Sequence, residues 1–240
     1  VHTAQCTLNE IDKDDALLIH KDATMKEALG LIIKRKNKCA FVVNEESKLE
    51  GILSISNLTH LWIADEDTLA DLMSRTSLHN VLETCEATLL FDAPFKPNGK
   101  VHLLPSLGQN TKIEEGTIVI VGNHPDVQRA VIEQNAALVV ICGENWVDSI
   151  TLSIAKERNV PIIHTPLSAI TIAKTIYQSP CIDEVMTKEV IFFRNSETVD
   201  GASKRIAKTR FRTYPVLDEN DKVVGAISRY HLFNYEKKKF

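Results

Sequence analysis

The sequence predicts an α/β protein in which two β-α-β-β-α repeats flank a separate parallel α/β domain. Two observations carry that prediction. Sliding the chain by 174 positions aligns residues 7–58 with 181–232 without a gap. Between those stretches, short aliphatic runs alternate with amphipathic ones at the spacing of βαβ units. The 240-residue length and a composition 44% hydrophobic and 25% charged suit a chain that buries a core.

The repeats agree at scattered but regular positions, among them Thr24 and Thr198, Ile32 and Ile206, Gly51 and Gly225, Ser54 and Ser228. In each copy a short strand, "ALLIH" (16–20) or "VIFFR" (190–194), leads to a helix. In the first helix Met25, Ala28, Leu29, Ile32 and Ile33 recur at helical spacing, and Thr24 with Glu27 forms a capping box at its start. A strand follows, "CAFVV" or "TYPVL", then the polar turn "NEESK" or "DENDK", the strand "LEGILS" or "VVGAIS", and a closing helix.

The middle segment reads as strand 117–121, helix 125–134, strand 137–141, helix 147–158, strand 160–165 and helix 169–177. Gly122-Asn-His-Pro and Gly143-Glu-Asn lie where strands hand over to helices. Residues 64–100 read as a helix, a linker and a hairpin around "FKPNGK". The expected organisation is therefore a first repeat at 1–63, a linker at 64–76, the middle domain at 77–179 and a second repeat at 180–240.

Several function classes are excluded by composition. The formal charge of −4 is spread along the chain, which leaves no electrostatic footprint for nucleic acid. The longest apolar runs, such as "AALVVIC", fall far short of the roughly 20 residues that cross a bilayer, so no membrane association is expected. Five widely spaced cysteines without a C-x-x-C pair point to a reduced cytoplasm and to no structural zinc. The start, "VHTAQCTLNEIDKDD", is expected to be a cut through a longer protein. No Ser-His-Asp pattern of known spacing, Walker loop, H-E-x-x-H or acidic-histidine cluster for a two-metal site is present, so neither a catalytic residue nor a metal ligand is assigned.

The repeat does suggest a binding site. Two such units packed about a pseudo-twofold axis leave a cleft where strand ends and helix N-termini can offer N–H groups to an anion. Ser54 and Ser228 fall where the last strand of each copy turns into its helix. Lys34, Lys36 and Lys38 precede one strand, Arg210 and Arg212 its equivalent, and Arg229 follows Ser228. Such cations could hold phosphate by charge-assisted bonds, with Tyr214 and Tyr230 stacking on a base or walling it in.

Thr24 with "EAL", Thr198 with "VDGAS", "FVVNEESKLEGILSISNL" and "YPVLDENDKVVGAISRYHL" resemble the CBS motif, two of which pair into a nucleotide-binding module. The resemblance implies nucleotide contacts at Thr24, Thr198, Ser54 and Ser228. It also implies a ribose-holding Asp three residues after each Ser, where this chain has Asn57 and His231. The segment from "GNHPDVQRAVIEQ" to "VPIIHTP" resembles the DRTGG domain, although the five-residue name is absent. Its use is expected to be structural, as a dimer contact, with His164 a strand-end residue.

The order CBS, DRTGG, CBS is similar to the regulatory insert of one class of family II inorganic pyrophosphatases. That resemblance implies a non-catalytic, cytoplasmic, homodimeric region that binds AMP, ADP or ATP and diadenosine polyphosphates. In that class AMP and ADP inhibit and the dinucleotides activate; manganese or cobalt belongs to flanking catalytic domains. Alternatives are a nucleotide-sensing CBS module of a transporter or transcription regulator, or a DRTGG protein associated with acyl or phosphoryl transfer.

Overall fold

The computed structural model describes residues 6–104, 112–144 and 146–237, so Asn145 of the second glycine turn lies outside the described residues. Contacts divide the chain into two compact units. Unit 1 comprises Val1–Ala23, Leu31–Leu58 and Val185–Phe240; unit 2 comprises Thr24–Gly30 and Thr59–Glu184.

The first repeat contains β1 (Leu18–His20), α1 (Met25–Arg35), β2 (Cys39–Val43), β3 (Leu49–Ser54) and α2 (Ile55–Trp62). Its sheet runs β1-β2-β3, with β1 parallel and β3 antiparallel to β2. Thr24 Oγ1 accepts the Glu27 N–H at 3.2 Å, as the capping pattern predicts. Met25, Ala28 and Ile32 are buried, whereas Ile33 is 65% exposed. The apolar stripe is thus narrower than the spacing predicts.

The turn after β2 depends on Asn44, whose Oδ1 accepts the N–H groups of Glu46 and Lys48. Asp218, its counterpart in the second repeat, receives the N–H groups of Asn220 and Lys222. Both turns carry a positive φ at equivalent positions, Ser47 and Asp221.

Within unit 2 the chain continues through α3 (Glu66–Ser74), α4 (Leu78–Thr84), β4 (Thr88–Phe91), β5 (Val101–Leu104), β6 (Ile118–Val121), α5 (Pro125–Glu133), β7 (Leu138–Cys142), α6 (Ser149–Arg158), β8 (Ile162–Thr165) and α7 (Ala169–Thr175). The five strands are ordered β4-β8-β7-β6-β5. Strands β5 to β8 are parallel and β4 is antiparallel to β8. Every residue of β6 and β7 is buried, as strands covered on both faces require. One face packs on Met73, Val81, Cys85, Ile172 and Ile176; the other packs on Val127, Val131, Ile132 and Ala155.

The helix expected within residues 64–100 is present as α3, started by Asp65 accepting the Thr68 N–H and with Met73 fully buried, and it occupies most of the 64–76 stretch expected as a linker. "FKPNGK" does not close a hairpin, because β4 and β5 lie at opposite edges of the sheet. A run with Pro and Gly marks a change of direction but not the partner of the next strand.

The second repeat contains β9 (Phe193–Arg194), α8 (Val199–Ala207), β10 (Thr213–Leu217), β11 (Val223–Ser228) and α9 (Arg229–Lys237). Its sheet, β11-β10-β9, matches the first, down to a register shift at Val216/Leu217 that repeats the one at Val42/Val43. Phe193, Val199, Ala202, Ile206, Tyr214, Val216, Ile227 and Leu232 form its core with Leu8 and Ile11 from the start of the chain.

The two repeats exchange backbone pairs inside unit 1. Asp14 and Ala226 donate N–H bonds to each other's carbonyls, and so do Thr187 and Ile52. The segment leading into each repeat thereby edges the other repeat's last strand. This accounts for the glycine shared by "GILS" and "GAIS". A Cβ at Gly51 would lie 2.8 Å from the Thr187 carbonyl oxygen, and one at Gly225 would lie 3.0 Å from Lys13 Cβ.

Candidate functional site

Residues 15 and 16 leave β11, where Asp14 is paired, and reach β2, where the Leu17 carbonyl accepts the Phe41 N–H at 2.8 Å. Beside this crossing lies a cavity of about 360 Å³, entirely within unit 1. Lys38 and Arg212 line it, and they are equivalent positions of the two repeats, as are Cys39 and Thr213, which line it too. The pseudo-symmetry of the fold therefore brings two distant cations to one pocket. Arg35 and Lys36 add positive charge, Ser228 adds a hydroxyl, and Asp14 and Asp15 contribute carboxylates. Neither Lys38 nor Arg212 forms an ion pair through its side chain with a described residue. Phosphate-sized anions could be gripped there by charge-assisted hydrogen bonds.

Of the residues expected at a site, the structure gathers Lys38, Arg212 and Ser228 around this cavity. Lys34 and Arg210 are exposed and do not line it. Thr24 and Thr198 cap α1 and α8, accepting the N–H groups of Glu27 and Gly201. Tyr214 is 1% exposed; its hydroxyl donates to the Phe211 carbonyl and its ring meets Phe193 edge-on. It is a core residue and cannot face a base without unpacking. Arg229 is spent on the carbonyls of Ile206, in the last turn of α8, and Thr209, just past it. Tyr230 is 68% exposed and borders a second hollow with Glu10, Asp12 and Tyr235.

Ser54 and Ser228 each start a helix through the residue three places on. Asn57 Oδ1 accepts the N–H and hydroxyl of Ser54 at 2.9 and 2.8 Å, while its Nδ2 donates to the Val185 carbonyl and Thr187 Oγ1. His231 Nδ1 stands 3.1 Å from the Ser228 nitrogen and 2.9 Å from its Oγ. Because a backbone N–H can only donate, Nδ1 is the acceptor, and Nε2–H points its donor at Asp14 Oδ1, 3.3 Å away. Both departures from an aspartate thus tie a helix start to the incoming segment of the other repeat.

The sequence reading missed Asp14, Asp15, Arg35, Asn37 and Thr213 on the cavity wall. The run "KRKNK" at 34–38 is the local signal for Arg35 and Asn37, which share it with the lysines. Nothing local marks residues 14–15, because their role arises from pairing with a strand more than two hundred residues away.

Among the described residues, His20, Asp22 and Glu45 bring one potential metal-ligand set within 4.8 Å on the surface. The imidazole already faces both carboxylates at 3.7 Å. In unit 2, His164 Nε2 lies 2.7 Å from the Gly143 carbonyl, its ring is stacked on Trp146, and it occupies the end of β8.

Burial pushes the Cys85 thiol up to about 12 and the Cys142 thiol up to about 11. Both are then neutral and shielded at pH 8, and native protein treated with an aromatic disulfide reagent there should leave them unmodified until denaturant is added. Since their pKa lies above the unfolded value of 9.0, their contribution to stability is present below pH 9 and falls as pH rises toward about 11–12. Rapid native labelling of Cys85 would show that α4 does not stay packed on the sheet.

Models of known families match most of the chain. The CBS domain model matches residues 8–64 and 182–238, and the DRTGG domain model matches 105–179. Along its full length the chain is 31% identical to the cobalt-dependent inorganic pyrophosphatase of Clostridium perfringens and 24% identical to the probable manganese-dependent inorganic pyrophosphatase of Thermotoga maritima. It spans 44% of each of those relatives. A crystal structure of the CBS and DRTGG domains of the regulatory region of the Clostridium perfringens pyrophosphatase, complexed with its activator diadenosine tetraphosphate, matches with a TM-score of 0.82 at 29% identity. The match covers 93% of this chain and 99% of that one. In sequence and in fold, the chain is a DRTGG domain set between two CBS domains, similar throughout to that pyrophosphatase regulatory region.

Proposed function

We propose that this chain is the regulatory region of a family II inorganic pyrophosphatase and that it senses adenine nucleotides in the pocket shared by its two CBS repeats. The observation carrying this reading is the meeting of Lys38 and Arg212, from equivalent positions of the two repeats, beside Ser228 in one cavity. Its volume, about 360 Å³, falls at the lower end of the roughly 300–1,000 Å³ typical of small-molecule sites. That suits a mononucleotide. A diadenosine polyphosphate would fill the pocket with one adenylate and extend its phosphates outside it.

The finer reading follows from that difference in reach. AMP or ADP occupies one pocket and favours an inhibited state. In a homodimer, a dinucleotide ties the pockets of two copies together and favours an active state, transmitted to catalytic domains that hold manganese or cobalt. Opposite effects need only a differential affinity of about 1–3 kcal/mol between the two states. Support comes from the similarity to a regulatory region whose crystal structure holds diadenosine tetraphosphate.

Calorimetric titration with AMP, ADP, ATP and diadenosine tetraphosphate, combined with sedimentation, tests both levels. The proposal expects micromolar or tighter binding, and half as many dinucleotides as mononucleotides bound per dimer. No heat from any of the four would remove the sensing role. Binding to a strictly monomeric chain would remove the bridging mechanism.

A further inference from the structure

We propose that Asp14 is a specificity-determining residue of the pocket and that it recognises the vicinal hydroxyls of a ribonucleotide; this rests on the nucleotide-binding reading above. The charges around the cavity are segregated by chain segment. Arg35, Lys36, Lys38 and Arg212 supply cations, while Asp14 and Asp15 supply carboxylates. A bare phosphate would be repelled by that second pair, so the segment that carries it suits a neutral group rich in donors. A ligand with an anionic end and a hydroxyl-bearing middle satisfies both sets of groups. A ribonucleotide is such a ligand.

Asp14 is the better placed of the two carboxylates. Its backbone is fixed by the reciprocal pair with Ala226, and its Oδ1 faces His231 Nε2 at 3.3 Å. His231 is itself held by the Ser228 N–H, and its side chain is only 14% exposed. The Asp14 side chain is 72% exposed and the residue lines the cavity, so its carboxylate keeps lone pairs free for further donors. A carboxylate accepts two hydroxyl donors side by side, and such charged hydrogen bonds are stronger than neutral ones.

The other repeat has no equivalent. Thr187 occupies the place of Asp14, pairing with Ile52 and meeting Asn57 through its hydroxyl. The shift of 174 would align Asp14 with Lys188 rather than Thr187, so the local pairing differs by one residue between the repeats. The diol-binding feature is therefore confined to the pocket with Asp14, and one of two pseudo-equivalent half-sites is selective for ribose.

The test compares AMP with 2′-deoxyAMP by calorimetry on the 240-residue chain and on Asp14→Asn and Asp15→Asn variants. The unaltered chain should prefer AMP by about tenfold, and Asp14→Asn should bring the two ligands within about twofold of each other. Asp15→Asn should keep the preference. Thermal unfolding of Asp14→Asn checks that the fold persists. A preference for AMP that survives in Asp14→Asn, or is lost in Asp15→Asn instead, overturns the assignment while leaving nucleotide binding intact. Equal affinity for the two ligands in the unaltered chain also overturns it. Absence of AMP binding altogether instead marks the failure of the functional reading on which it stands.

Discussion

Replacing Arg212 by alanine should weaken AMP binding by about ten- to a hundredfold, the loss of one or two charge-assisted bonds to phosphate. Lys38→Ala should do the same within a factor of a few, because the two cations are equivalent positions brought to one cavity. Arg229→Ala should leave affinity within about threefold and lower stability instead, since its guanidinium already serves the Ile206 and Thr209 carbonyls. The sequence by itself places Arg229, beside Ser228, among the phosphate-binding cations on the same footing as the other two. Calorimetry at two salt concentrations reads the difference: the Arg212 effect should shrink as ionic strength rises. A large affinity loss in Arg229→Ala with none in Arg212→Ala would move the phosphate site off this cavity.

Substituting Gly99 by alanine is expected to destabilise unit 2 by about 3 kcal/mol or more. Gly99 has a φ of +91°, and a Cβ there would stand 1.8 Å from the Ala70 carbonyl oxygen and 2.4 Å from its carbon. The obstacle is helix backbone in α3, which cannot turn aside as a side chain could. Neighbouring Leu72 and Met73 anchor that helix, at 8% and 0% exposure. At this chain length such a cost corresponds to a fall of roughly 6–12 °C in the unfolding midpoint, measurable by differential scanning calorimetry. A midpoint unchanged within about 1 °C would mean that α3 is not packed where Ala70 meets Gly99.

Much of the fold was legible because its signals are local. The twin β-α-β-β-α order follows from apolar periodicity, and the strands and helices of the middle domain fall within a few residues of their expected bounds. Thr24 is legible as a helix start, a role set by four consecutive residues, and Thr198 plays the same part at α8. Residues 64–100 were less legible: α3 and α4 are short, and β4 and β5 have exposed or half-exposed residues throughout, so neither leaves a clear pattern. Which edge of the sheet each strand joins depends on partners far along the chain.

The same division runs through the site. Residue type and spacing were enough to nominate Lys38, Arg212 and Ser228. They could not separate these from Tyr214, which the packing of Phe193 and Phe211 draws into the core, or from Arg229, which a neighbouring helix end consumes. The amino-acid sequence alone determined the repeat, its elements and the residues able to hold an anion, because those depend on backbone preference and on side-chain chemistry. The tertiary structure decided which of those side chains meet, and that the Asp14 segment crosses from one repeat to the other, because long-range strand pairing places groups together irrespective of their distance in the chain.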